Sequence, residues 1–222
     1  VVRSSWVHMG GPAYSRLCFQ GLVALGGRLK VNFSLSSVFS VGRGTQGRVP
    51  NDPLFSRYAN VGLSGDFGAV TVGRSLALNF LPMILFNPLG DSFTFSPLVL
   101  HMNVSLFNGT GWTKTTPADT GWANQITYSS PKMGGLTANL HYQLGEQTSN
   151  SPYKGARNVG FNALYSNGPL GLTAFYERAQ VENPGTNLPF TVKVAGVTPD
   201  PLQTKQSWML GGSYDAGAFK GF

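Results

Sequence analysis

Only 11% of the 222 residues are charged, against about 25% in ordinary soluble domains, while 41% are hydrophobic and 29 are glycine. The 16 Lys and Arg exceed the 9 Asp and Glu to give a net charge of +7, but they form no cluster and no basic helix. Nucleic acid is therefore a poor partner, and a basic internal surface facing small anions fits better. The most apolar run, "LALNFLPMILFNPL" at 76–89, is broken by Asn79, Pro82, Asn87 and Pro88, which excludes a membrane-spanning helix of about 20 residues. Cys18 stands alone, so neither an intrachain disulfide framework nor a cysteine-rich metal site can form.

In chain order, strand-like segments with period-two alternation recur between clusters of Gly, Pro, Asn and Asp. In "SRLCFQG", Leu17 and Phe19 oppose Arg16, Cys18 and Gln20. In "RLKVNFSLS", Leu29, Val31, Phe33 and Leu35 oppose Lys30, Asn32, Ser34 and Ser36. "YANVGLSGDFGAVTVGRS" reads as a hairpin with Ala59, Val61, Leu63, Val70 and Val72 on one face. The alternation returns in "NQITYSS", in "GLTANLHYQLGE" (Leu136, Leu140 and Tyr142 against Thr137, Asn139 and His141), and in "NVGFNALYSNG", "GLTAFYER" and "SWMLGGSYD". About ten or eleven strands are legible.

The polar faces carry Ser, Thr, Asn, Gln and Gly rather than Lys, Glu and Asp, and many apolar faces end in Tyr or Trp. A soluble sandwich packs its apolar faces together and charges its outer faces. A transmembrane β-barrel does the opposite, with apolar side chains towards lipid, aromatics at the interfaces and small polar residues lining a wet lumen. The connections alternate in length as well. "SGDFG" at 64–68, "SSPKMGG" at 129–135 and "SNGPLG" at 166–171 are tight, whereas 37–55, 76–120, 145–156 and 180–205 are long. Short periplasmic turns and long external loops follow. The expected fold is all-β, a single antiparallel transmembrane barrel domain over 1–222, with 76–120 too long for an ordinary connection.

The ordered pieces "SRLCFQG…LGGRLKVNFSLSS", "SRYANVGLSGDFGAVTVGR", "NQITYSSPKMGGLTANLHYQLGE", "NALYSNGPLGLTAFYE" and "LGGSYDAGAFK" resemble the general trimeric porins of Gram-negative bacteria, of the β-proteobacterial (Burkholderiales and Neisseria) type. The resemblance implies a 16-stranded, usually homotrimeric barrel in outer-membrane lipid and lipopolysaccharide, whose third external loop, here 76–120, folds inward as a constriction. It implies passive diffusion of small hydrophilic solutes and ions with anion preference, and no enzyme chemistry, cofactor or metal. Wall arginines of the family correspond to Arg16 and Arg74, while the third wall position falls at or near Ala123 and is not basic. The first turn, "GLVALGG", lacks the family's acidic residues. No usual first strand is legible in "VVRSSWVHMGGPAY", so a fragment lacking the first and the C-terminal strands is expected.

Arg16 lies by parity on the polar face. Arg74 would point outward under strict alternation from Val70 and Val72, so an inward arginine requires a bulge at Gly73. Asp91 is the expected acidic partner across the constriction, and Lys30, Lys114 and His141 are expected to add to the lumen potential. Arg57 shares parity with Ala59 and Val61 and is expected near the interface, where long side chains snorkel. "GRGTQG" at 42–47 has dinucleotide-loop spacing, but "RVPNDP" after it forbids the required helix. His8, His101 and His141 lack metal-site spacing. An outer-membrane adhesin or barrel enzyme, and less so a soluble β-sandwich binding protein, remain the alternatives.

Overall fold

The structure is a computed structural model that describes residues 2–10, 14–40, 42, 44–47, 53–90, 121–144, 158–182 and 202–222. They form one antiparallel sheet in sequence order: β1 (Val2–Gly10), β2 (Tyr14–Gly26), β3 (Leu29–Ser40), β5 (Tyr58–Gly65), β6 (Gly68–Leu76), β7 (Gly121–Ser129), β8 (Leu136–Gln143), β9 (Asn158–Asn167), β10 (Leu170–Glu182), β11 (Leu202–Asp215) and β12 (Lys220–Gly221). A two-residue β4 (Thr45–Gln46) pairs with β3 off this path. One short helix, α1 (Phe80–Leu85), interrupts the all-β pattern. The segment without legible alternation nevertheless forms β1, in register with β2 from Val2 opposite Leu22 to Gly10 opposite Tyr14. Backbone pairing with a committed neighbour supplies there what side-chain pattern does not.

Among the described side chains, the strands from β5 to β11 bury a polar row and expose an apolar one. Along β8, Leu140 is 49% exposed and His141, the next residue, 0%. Leu210 on β11 reaches 76%, whereas Gln125 on β7 is 1% exposed. A soluble sheet would show the reverse. Strands of 8 to 14 residues bracket the roughly 9–11 that a tilted strand needs to cross hydrocarbon.

Turn chemistry sorts the two ends of the sheet. β2–β3 turn at Gly27 and Arg28, β5–β6 at Asp66 and Phe67, and β9–β10 at Gly168 and Pro169. Glycines take the left-handed conformation these turns require, with Gly27 at φ 55° and Gly168 at φ 56°. Arg28 and Asp66 of neighbouring turns form an exposed ion pair at 3.2 Å. Long connections alternate with these turns, and counting from β1, the one between β6 and β7 is the third at its end.

Candidate pore wall and loop root

The β6–β7 connection opens by folding back onto the inner face. Asn162 Nδ2 on β9 donates to the Leu78 carbonyl at 2.5 Å, and Ala77 packs with Ala179 of β10 and Trp122 of β7. α1 follows, with Phe80 and Met83 buried. Pro82 falls within its first turn, where a missing N–H costs nothing. Asn87 closes the helix by donating to the Met83 carbonyl at 3.1 Å and the Gly90 carbonyl at 2.8 Å. The Phe86 ring lies over two side-chain-free positions: a Cβ at Gly171 on β10 would come within 3.2 Å of its Cε1, and one at Gly211 on β11 within 3.2 Å of its Cβ. Residues 77–86 therefore descend along the inner row of β10, from Ala179 at the long-loop end towards the short turn. This much of 76–120 is described; Asp91 and Lys114 lie outside the described residues.

The wall on the opposite part of the sheet is basic. Arg16 on β2 stands opposite Val38 of β3, on the face where Cys18 and Ser36 are buried and their Sγ and Oγ lie 3.0 Å apart. Arg57 departs from its expected interfacial position. β5 begins only at Tyr58, so the parity of Ala59 and Val61 does not reach back to Arg57, whose N–H bonds the Ser36 carbonyl at 3.2 Å. Its guanidinium sits over the Tyr58 ring at 5.7 Å. Burial is the main influence on the Arg57 pKa and lowers it; Tyr58 pulls it back up and Arg16 pushes it down, so the two guanidinium groups lie within electrostatic reach. Arg57 stays protonated all the same, since arginine holds its proton far above neutral pH.

Arg74 shows how the sheet handles a parity conflict. Gly73 pairs with Gln125 and Ser75 with Trp122, so on the β7 side one residue, Arg74, faces two, Ala123 and Asn124. The slip falls at the expected place, but the additional residue belongs to β7, where Asn124 takes φ 50°. Gly73 contributes φ 114°, and a Cβ there would collide with the Ala59 carbonyl. Arg74 is 7% exposed against 42% for Val72, withdrawn from the apolar exterior, with Nε donating to the Ser56 carbonyl at 2.6 Å.

The same slip turns Trp122 onto the inner face, where its indole stacks on the His141 imidazole at 4.0 Å between centroids. His141 Nδ1 pairs with Gln125 Oε1 at 3.0 Å. His141 is thus on the expected face but covered, a mount for Trp122. Lys30 is exposed beside the first short turn, in register with Ser64. Ala123 carries no charge and accepts a hydrogen bond from Gln143 at 2.9 Å. Sequence pattern missed the placement of Arg57 and of Trp122, whereas the inward course of 77–86 is what the family resemblance implied for 76–120. Among the described residues no group of three or more His, Cys, Asp or Glu is placed to hold a metal ion.

A sheet that is apolar outside and polar within, with short turns at one end and long connections at the other, is the wall of a membrane β-barrel, the architecture of outer-membrane pores. Residues 8–222 match the Gram-negative porin family, and the chain belongs to that family, whose members reside in the outer membrane. It is 32% identical over 165 residues to outer membrane porin protein 32 of Delftia acidovorans, covering 72% of this chain and 43% of that protein. Its structure resembles an anion-selective porin from Comamonas acidovorans, with TM-score 0.64 and 25% identity over 95% of this chain and 56% of that one. A Salmonella typhi OmpF structure shares the fold at TM-score 0.59 and 17% identity, over 98% of this chain and 60% of that one. The chain spans about half the length of these relatives.

Proposed function

We propose that the whole protein is a water-filled diffusion channel for small hydrophilic solutes and ions, with a preference for anions. The observation that carries this reading is the gathering of Arg16, Arg57 and Arg74 on one stretch of wall while residues 77–90 fold against another. A low-dielectric barrel focuses the field of such a wall, raising the local concentration of anions. The connection 76–120 acts as the constriction loop, with Asp91 and Lys114 as its charged members and Lys30 adding positive potential near the short-turn end. His141 contributes by mounting Trp122. The anion selectivity of the Comamonas porin agrees with this charge pattern. The exposed apolar rows face outer-membrane lipid and lipopolysaccharide, and the assembly is a homotrimer.

The test is the reversal potential of the full protein in planar bilayers under a salt gradient. Anion preference is expected, and Arg16→Glu is expected to move the reversal potential towards that of a cation-preferring pore. Cation preference in the unaltered protein would overturn the assignment of the basic wall.

A further inference from the structure

The inner row of β10 runs Gly171, Thr173, Phe175, Glu177, Ala179, and the loop root lies along it. Four of these five meet the root or the wall with small or apolar surface, but Glu177 does not. It is 2% exposed, and a carboxylate so placed is costly unless something complements it. The wall does not complete that complement. Neither carboxylate oxygen takes a hydrogen bond from the described wall residues, and the groups within reach are the Asn79 amide on the loop root and Lys205 on β11.

Asn79 has the matching peculiarity. It occupies the N-cap of α1, where an asparagine ordinarily accepts a hydrogen bond from the first turn, yet its side chain makes no capping bond. Its amide is buried and bonds neither its own helix nor a backbone group, which leaves the Glu177 carboxylate as the group it meets. An amide withheld from its own helix and a carboxylate without a bond from its own wall face each other across the contact between loop and barrel.

The surroundings close the seat from the other side. Register aligns Thr127, His141, Gly160, Glu177 and Ser207 in one lateral row. Gly160 separates His141 from Glu177, and a Cβ there would collide with His141 Nε2. The imidazole thus lies over the glycine, beside the strand that carries Glu177. Trp122, stacked on that imidazole, touches Ala77 and Ala179, one step along from Asn79 and Glu177.

We propose that Glu177, acting through Asn79, is the positioning residue that pins the root of the third loop to the barrel wall and so holds the pore at one width. The inference rests on the reading of 76–120 as the pore loop. Lys205 offsets the carboxylate charge, Trp122 and His141 set the lateral position, and the Asn162 bond to the Leu78 carbonyl supports the chain just before the pin.

Two readouts on the full protein test this: single-channel recording in planar bilayers, and chymotrypsin cleavage within 80–86 of the folded protein in detergent, with heat-modifiable gel mobility reporting the barrel. Glu177→Ala and Asn79→Ala are each expected to keep the folded mobility, lose the single steady conductance level and become cleavable in that segment. The double variant should behave like either single one, because both cut the same link. Glu177→Gln, which can still bond the Asn79 amide, should keep the steady level and the protection. A steady level and full protection in both alanine variants would overturn the proposal. If Glu177→Ala fails to fold, Asn79→Ala decides alone, since it leaves the wall intact. If the unaltered protein conducts nothing, the channel reading fails, and cleavage still decides whether the pin exists.

Discussion

Phe33 and Ser34 are neighbours near the middle of β3, and the fold assigns them to opposite media. Phe33 lies on the exposed apolar row, its ring against Gly21, where a Cβ would collide with it. Ser34 faces inward, within 3.4 Å of the exposed Gln20 amide. The same arginine placed at either position separates lipid from water. At Phe33 its charge enters hydrocarbon, at a cost of about 2–4 kcal/mol for a barrel residue at the bilayer midplane. At Ser34 it enters a wet lumen, and a change within about 0.5 kcal/mol is expected, as for an ordinary surface substitution. At about 1.4 kcal/mol per factor of ten, the folding constants of Phe33→Arg and Ser34→Arg should differ by roughly 30- to 1,000-fold. Urea titration in lipid bilayers, followed by heat-modifiable mobility, measures both, with Phe33→Leu as the control for lost ring packing. Equal stability of the two arginine variants would refute the assignment of the exposed apolar row to lipid.

Gly73→Ala is expected to destabilise the barrel by about 1–3 kcal/mol from the positive φ alone, and the collision with the Ala59 carbonyl adds to this; a urea midpoint unchanged from the parent protein would show that the backbone at 73 is not held there. Gly160→Ala should push the His141 imidazole off its seat at a cost of about 1–3 kcal/mol. Its distinguishing sign is loss of the Trp122 contribution to near-ultraviolet circular dichroism, identified by comparison with Trp122→Phe, and a retained signal would contradict the packing of His141 over Gly160.

The faces of the strands were legible because a membrane barrel imposes one rule on nearly every residue of a strand. Leu136, Leu140 and Tyr142 alternate with Thr137, Asn139 and His141 in sequence, and the same alternation appears in their exposure. What escaped was whatever breaks the period. Trp122 has the parity of Ile126 and Tyr128 and should face lipid; the additional residue in β7 reverses it, and nothing in "WANQ" announces an insertion that exists only relative to β6. Arg57 shares the parity of Ala59 and Val61 but precedes β5, so the alternation of the strand does not govern it. β1 was illegible for a different reason: its place is set by backbone pairing along the edge of β2, which leaves little mark on side-chain order.

These breaks in period coincide with the basic wall and the root of the β6–β7 connection. The slip opposite Arg74 does two things at once: it accompanies withdrawal of a guanidinium from the apolar exterior and brings an indole to the loop root. Arg74 is not simply a charge offered to solutes, because its Nε is committed to the Ser56 carbonyl and so ties the chain entering β5 to the strand leaving for the third loop. That tie holds Arg57, the next residue, beside Arg16. The basic wall is therefore mechanically linked, with one arginine fixing the position of another. On the far side, Glu177 stands in the same relation to the loop through Asn79. A barrel built on strict alternation can face the membrane, but alternation alone does not fix where a loop root lies against the wall, and on the pin proposed above that falls to Asn79 and Glu177.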